Sequence, residues 1–464
     1  MESAQKNGVL IESGAENKQV FQQENGVATI SLSGSWILDP NDPNENFQVF
    51  VQVKNEETNL PVTDTLKAEI IPGKKWKLDI ENVPVGGPYR IETCLRERNA
   101  TFPLMWTTRG DQRHDIYVGD VYLIMGQSNS VGYAKDFCTD TKQAGVQMFR
   151  DCGCWDVASH PLHDSTDTLF DIYRDGGNTG HSPYISFGKK ILRKTGTPVG
   201  LIMVSKGGAP MDLFFPDREN LFYDAMKLML ARAGIKKPRA VFWHQGCTDA
   251  EEERPYYKEG LAKIINATRK DFGDENLPWF ILQICRFGGF NTEHDHAWGQ
   301  VKQAQHDLAD ELDNVYILST LDCTTSDDVH NNTYSSIMLG ERLAGYVLKY
   351  LDGFKTEYVC PEFSEAKVEE DGKSVKIKFK NVLESISNSQ NVDMPFTVFD
   401  KNKNEIKLTS WEGYGDSVIL HSDSEIPADA RVSACWKAHV TFKPPFDTGT
   451  RLPIVAFYNK EINK

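Results

Sequence analysis

Between residues 116 and 352, five short apolar runs recur, at 121–125, 199–204, 240–243, 279–284 and 315–318. Each is largely apolar on both sides and ends near Gly, Ser, Asp or Cys, as strands do in a parallel sheet covered on both faces. The spans 184–194, 220–233, 256–271, 298–312 and 334–351 separate these runs and carry apolar residues at three- and four-residue spacing, which predicts helices. Strands alternating with amphipathic helices leave one economical solution: a three-layer α/β/α sandwich of flavodoxin-like type with a five-stranded parallel sheet. The irregular stretch 136–180 is long for a loop and is expected to line a site.

On either side of this unit the periodicity changes to two. Phe47, Val49, Val51 and Val53 alternate with Gln48, Phe50, Gln52 and Lys54, and turn signals such as Pro72-Gly73 and Gly86-Gly-Pro88 separate such runs. Val375, Ile377 and Phe379 alternate with three lysines, and further strand-like runs follow. The expected organisation is a flexible N-terminus over 1–17, a β-sandwich domain over 18–115, the α/β domain over 116–352 and a second β-sandwich over 361–464. Neither flank combines a nucleophile with a base.

At ~150 residues per domain, 464 residues accommodate about three domains. A formal charge of -15 argues against nucleic acid or an anionic membrane as partner and favours a small substrate. The first residues lack an apolar stretch of signal-peptide length, and no run is long enough to span a bilayer, so a cytoplasmic location is expected. Nine cysteines, an odd number, do not read as a disulfide framework. Cys152-Gly-Cys154 is too closely spaced for the usual zinc pairings, and the His294–Asp295–His296 group lacks a third ligand, so no metal is expected. A homo-oligomer is compatible with the composition.

In a parallel sheet, functional groups gather just past the strand ends. Here those ends carry Gln127-Ser128-Asn129, Ser205-Lys-Gly-Gly208, His244-Gln-Gly246, and Asp322 followed by Asp327-Asp-Val-His330. Ester hydrolysis by a serine needs a base, an acid that orients the base, and donors for the developing oxyanion. His330 is the candidate base and Asp327 or Asp328 the acid. The Ser128 amide, the Gly207 or Gly208 amide and the Gln245 side chain are the candidate donors. Gln127, Asn129, His244 and Lys206 are the candidates for holding substrate, Lys206 through an acidic group such as a sialate carboxylate.

Four blocks in this order resemble the SGNH-hydrolase superfamily and, within it, the sialate O-acetylesterase and carbohydrate-esterase group. They are Val118-Gly-Asp-Val-Tyr-Leu-Ile-Met-Gly-Gln-Ser-Asn129, Pro198-Val-Gly-Leu-Ile-Met-Val-Ser-Lys-Gly-Gly-Ala209, Val241-Phe-Trp-His-Gln-Gly-Cys-Thr-Asp249, and Asp327-Asp-Val-His330 followed by Leu339-Gly-Glu-Arg-Leu-Ala344. The resemblance implies Ser128 as nucleophile, His330 as base, Gly208 and Gln245 in the oxyanion hole, no cofactor, and O-acetylated sugars as substrates. Three departures stand out: Ser130 where methionine is usual, Cys247 where glutamate is common, and two aspartates before His330. Asp327 matches the superfamily spacing of three and is preferred; Asp328 matches the group's spacing of two.

The expected activity is therefore removal of O-acetyl groups from acetylated sialic acid or acetylated xylo- or manno-oligosaccharides through an acetyl-serine intermediate. The alternatives are a lipase or thioesterase of the same superfamily, and a carbohydrate-binding protein whose hydrolase domain is inactive.

Overall fold

The computed structural model describes residues 8–38, 46–98, 108–138, 140–175, 179–219, 221–284, 286–288, 292–387, 394–439 and 443–463. Its spine is one 19-residue strand, Thr108–Gly126. The first part of this strand pairs antiparallel with Gly86–Glu97, and Val20–Gln22 joins it in parallel from Tyr117 onward. From Asp120 it runs between Val199–Ser205 and Ala240–His244, parallel to both. A single eleven-stranded sheet thus passes from the N-terminal layer into the central one. The expected boundary at 115/116 is corrected: it falls inside this strand. What marks the passage is a bulge, where the register slips between the Tyr89–Ile116 and Ile91–Arg113 pairs and Asp115 takes φ +54°. Bulges bend a strand without ending it.

The expected flexible segment 1–17 is corrected over residues 8–17, and residues 1–7 lie outside the described residues. Gly8–Ser13 is a strand paired with Val27–Ile37, and it buries Val9 and Ile11. Lys75–Pro84 and Glu69–Ile71 complete this four-stranded sheet. It shares a core with the Phe47–Asn55 and Gly86–Glu97 strands, built from Ile30, Leu32, Trp76 and Ile80 against Val49, Val51, Ile91 and Leu95.

Along the central path of this sheet six successive neighbours run parallel, not five. In spatial order they are Val146–Phe149, Val199–Ser205, Thr108–Gly126, Ala240–His244, Trp279–Leu282 and Val315–Leu318. Trp155–Val157 pairs antiparallel at the edge. The extra strands lie in the stretch read as irregular, and both are too short to show a period. The spine strand has its successors on both sides, so its carboxyl end is a topological switch point, where such sheets open a crevice. One face carries Tyr184–Thr195 and Thr333–Tyr350, with Phe187 against Tyr122 and Phe242, and Tyr350 stacked on Tyr316. The other carries Phe222–Arg232, with Phe222 stacked on Phe214, which meets Trp243 edge-on.

Beyond Pro361, two four-stranded antiparallel sheets enclose Val375, Ile377, Phe379, Val398, Leu420, Val432 and Phe457. This unit is tied to the central one by buried polar contacts. Gln283 exchanges two hydrogen bonds of 2.9 Å with the Ala456 backbone. The wholly buried Lys302 donates to the Cys435 and Lys437 carbonyls at 2.9 Å. A buried ammonium in contact with carbonyls on another unit needs those acceptors to stay in place. None of the described helices is long and apolar enough to cross a membrane.

Candidate active site

The spine strand ends at Gly126, and the chain turns at once into the short helix Ser128–Val131. Gly126 has φ +153°, and a Cβ there would meet the His244 carbonyl oxygen at 2.3 Å, so only glycine makes this turn. Ser128 follows at the carboxyl edge, 6% exposed. As the first helical residue, it has an amide outside the helical ladder.

His330 precedes the helix Thr333–Tyr350. Its Nδ1 lies 2.7 Å from Asp327 Oδ2, while Asp327 Oδ1 accepts the Val329 and His330 amides at 3.0 and 2.8 Å. Burial pushes the Asp327 carboxyl up, but the imidazole and the two amides outweigh it and hold the group below its ordinary value. With Nδ1 committed, Nε2 is the nitrogen left for a reacting group. Asp328 holds no such position; its carbonyl accepts the Gly288 amide. Asp322 is bound by both terminal nitrogens of Arg342, at 2.9 and 2.6 Å.

Asn129 joins the two ends of the site. Its Nδ2 donates to Val329 O and its Oδ1 accepts the Asn331 amide, both at 3.0 Å, so the neighbours of Ser128 and of His330 are bonded to each other. These two groups of the Asn129 side chain face the histidine loop. Gln127 ties the first strand end to the third, because its Oε1 accepts the Gly246 amide at 2.9 Å and its Nε2 reaches Thr248 Oγ1 at 3.3 Å. His244 stands at the end of the neighbouring strand. Its ring is buried, neither nitrogen has a hydrogen-bond partner, and burial pushes its pKa down to about 3, so it stays neutral. Lys206 is half-buried and its amide reaches Gly126 O at 3.3 Å.

Of the expected oxyanion donors, two are already engaged. The Gly207 amide donates to Asp175 Oδ2 at 2.7 Å. Gln245 Nε2 donates to Ala209 O at 3.1 Å and to Asp249 Oδ2, whose other contact is the Met211 amide at 3.0 Å. Gln245 therefore braces the second strand-end loop against the third. Gly208 differs: it is exposed, with φ +67° and open space where a Cβ would stand.

Among the described residues, one group has the composition of a metal site: Asp140, His160 and His181. Both Nε2 atoms lie 3.2 Å from Asp140 Oδ2, and Lys189 donates to Oδ1. The imidazoles are stacked with centroids 3.7 Å apart. Two imidazoles on one tetrahedral zinc, with Zn–N of about 2.0 Å, hold their centroids roughly 5 Å apart. The arrangement fits two rings donating to a carboxylate that a lysine already balances, and not a shared cation.

A family model described as "Carbohydrate esterase, sialic acid-specific acetylesterase" matches residues 118–349. The chain belongs to this family. No curated protein matches this carbohydrate esterase. Among solved structures, it is similar over 97% of its length to 99% of a carbohydrate acetylesterase from Xanthomonas citri, at 20% identity and TM-score 0.65, a likeness of fold. A protein from Arabidopsis thaliana aligns over 50% of the esterase and 99% of its own chain, at 22% identity and TM-score 0.42.

Two residues of the esterase's site escaped the sequence reading. Tyr133 lies over the His330 ring, with centroids 4.8 Å apart and planes 19° from parallel, and Asp175 holds the Gly207 amide. Nothing in the local sequence marks either. Asp175 stands in the irregular stretch, and Tyr133 follows the first block as one aromatic among many.

Proposed function

We propose that the chain is a cytoplasmic serine esterase that removes O-acetyl groups from carbohydrates, acetylated sialic acid or acetylated xylo- and manno-oligosaccharides, through an acetyl-serine intermediate. The observation that carries this reading is the 2.7 Å contact between His330 Nδ1 and Asp327 Oδ2, which leaves Nε2 as the basic nitrogen on a loop bonded to the residue after Ser128. Asp327 orients the imidazole and offsets the charge that forms on it.

Ser128 Oγ attacks the acetyl carbonyl carbon while His330 Nε2 takes the hydroxyl proton. The amides of Ser128 and Gly208 meet the oxyanion, and each such donor contributes about 100- to 1000-fold in turnover. Collapse breaks the bond to the sugar oxygen, which leaves with the proton from His330. Water, deprotonated by the same nitrogen, then attacks the acetyl-serine and releases acetate. The groups named are sufficient for both steps without a metal or organic cofactor. Cys94, Cys138, Cys152, Cys154, Cys360 and Cys435 form no disulfide, which suits the reducing cytosol.

Acetate release from O-acetylated sialic acid and from acetylated xylo- and manno-oligosaccharides, by wild type and Ser128→Ala, tests the reading. Release that disappears in the variant supports it, and the preferred sugar names the substrate. Release that persists would remove Ser128 from its role, and silence on every acetylated sugar would remove the substrate class.

A further inference from the structure

Three chain segments meet through Asp175. Its Oδ2 accepts the Tyr133 hydroxyl at 2.8 Å and the Gly207 amide at 2.7 Å. Asp175 is itself fixed by Ser165, whose Oγ accepts the Asp175 amide at 3.0 Å and lies 3.1 Å from the Asp175 carbonyl. The Tyr133 ring, held by this bond, covers one face of His330.

We propose that Tyr133 and Asp175 are positioning residues for the hydrolysis, setting the base and the glycine loop against each other as one unit. This rests on the reading of Ser128 and His330 given above. His330 stands on an exposed loop: the Asp327 side chain beside it is 53% accessible. The Asp327 contact fixes one ring nitrogen but not the rotation of the ring about that contact. A flat aromatic neighbour, stacked 19° from parallel, restricts that rotation and keeps Nε2 aimed in one direction. The carboxylate oxygen that anchors Tyr133 also fixes the Gly207 peptide, from which the next amide, that of Gly208, follows. Base and oxyanion donor thereby share one anchor, although neither Tyr133 nor Asp175 touches a reacting atom. Small displacements of such groups are costly: about 1 Å removes roughly 100-fold in rate.

The test uses the full chain with para-nitrophenyl acetate and an acetylated xylo-oligosaccharide, comparing Tyr133→Phe, Tyr133→Leu, Asp175→Asn and the Tyr133→Phe/Asp175→Asn double variant. Tyr133→Phe keeps the stacked ring and cuts only the bond to Asp175. Expected are kcat losses of roughly 10- to 100-fold in Asp175→Asn and Tyr133→Leu, with KM near wild type and Tyr133→Phe retaining more activity than Tyr133→Leu. Because both changes cut the same link, the double variant should be no slower than Asp175→Asn alone. A double variant as slow as the product of the two single losses would overturn the shared anchor. So would wild-type kcat in Tyr133→Leu and Asp175→Asn while Ser128→Ala and His330→Ala are inactive. Activity surviving in Ser128→Ala would instead defeat the underlying reading. Should Tyr133→Leu fail to fold, Tyr133→Phe with its double variant carries the same decision.

Discussion

Asn129 holds the backbone on both sides of His330, donating to the Val329 carbonyl and accepting the Asn331 amide, each at 3.0 Å. The residue beside the proposed nucleophile thus sets the position of the proposed base. Asn129→Ala removes both bonds and takes this acceptor from the buried Asn331 amide, which costs about 1–3 kcal/mol. The expected outcome is a lower melting temperature together with a kcat loss of roughly 10- to 100-fold, with KM for a small acetate ester little changed. Calorimetry and steady-state kinetics on one preparation check it; unchanged kcat would mean that the loop holds its place without the clasp.

Asp327 and Asp328 are distinguished by geometry. Only Asp327 reaches His330 Nδ1, and it is held below its ordinary pKa, so it remains ionised wherever the unperturbed group would, above about pH 4. Asp327→Asn is expected to lower kcat by roughly 100- to 10,000-fold. Asp328→Asn should stay within about twofold, as exposed substitutions do. Equal losses in the two variants would contradict the assignment.

His244 makes stability fall in acid. Burial pushes its pKa down to about 3, whereas the unfolded chain takes up a proton near pH 6.5. The native state therefore binds fewer protons than the unfolded one in this window, and stability drops as pH falls from about 6.5 towards 3, by up to ~1.4 kcal/mol per unit. His244→Leu removes this contribution, so its urea midpoint should vary less with pH below 6.5 than that of wild type. Parallel curves would show that the ring is not the titrating group.

Lys302 links the central unit to the C-terminal sheets by two bonds of 2.9 Å to carbonyls. Lys302→Met retains the apolar stem and loses the ammonium, leaving the Cys435 and Lys437 carbonyls short of a donor. A loss of about 3–6 kcal/mol in unfolding free energy is expected, from two charged hydrogen bonds of about 1.5–3 kcal/mol each. Denaturant titration followed by tryptophan fluorescence reads it, and an unchanged midpoint would count against the contact.

Much of the central fold was legible because its information is local. The strands Val199–Ser205, Ala240–His244 and Val315–Leu318 are apolar on both sides, and the helices between them keep a regular apolar spacing, whatever surrounds them. The His330–Asp327 pair was legible for the same reason: the partners are three residues apart, and one loop brings them together. Val146–Phe149 was not, since four residues in a polar stretch become a strand only by pairing with Val199–Ser205. The boundary at 115/116 failed similarly, because a bulged strand looks like the end of one domain until its partners on both sides are known.

The polar side chains around the site show the division most clearly. Gln127, Asn129 and Gln245 were visible as residues at strand ends, and each could equally face a substrate or another loop. Their partners Gly246, Val329 and Asn331 stand more than a hundred residues away from Gln127 and Asn129, and Ala209 closes on Gln245 only when two loops meet. Residue type and local spacing sufficed for the five apolar strands, the helices between them and the histidine–aspartate pair. Which donor meets which acceptor across the crevice was decided by the packed sheet, because a hydrogen bond depends on distance and angle that no local pattern encodes.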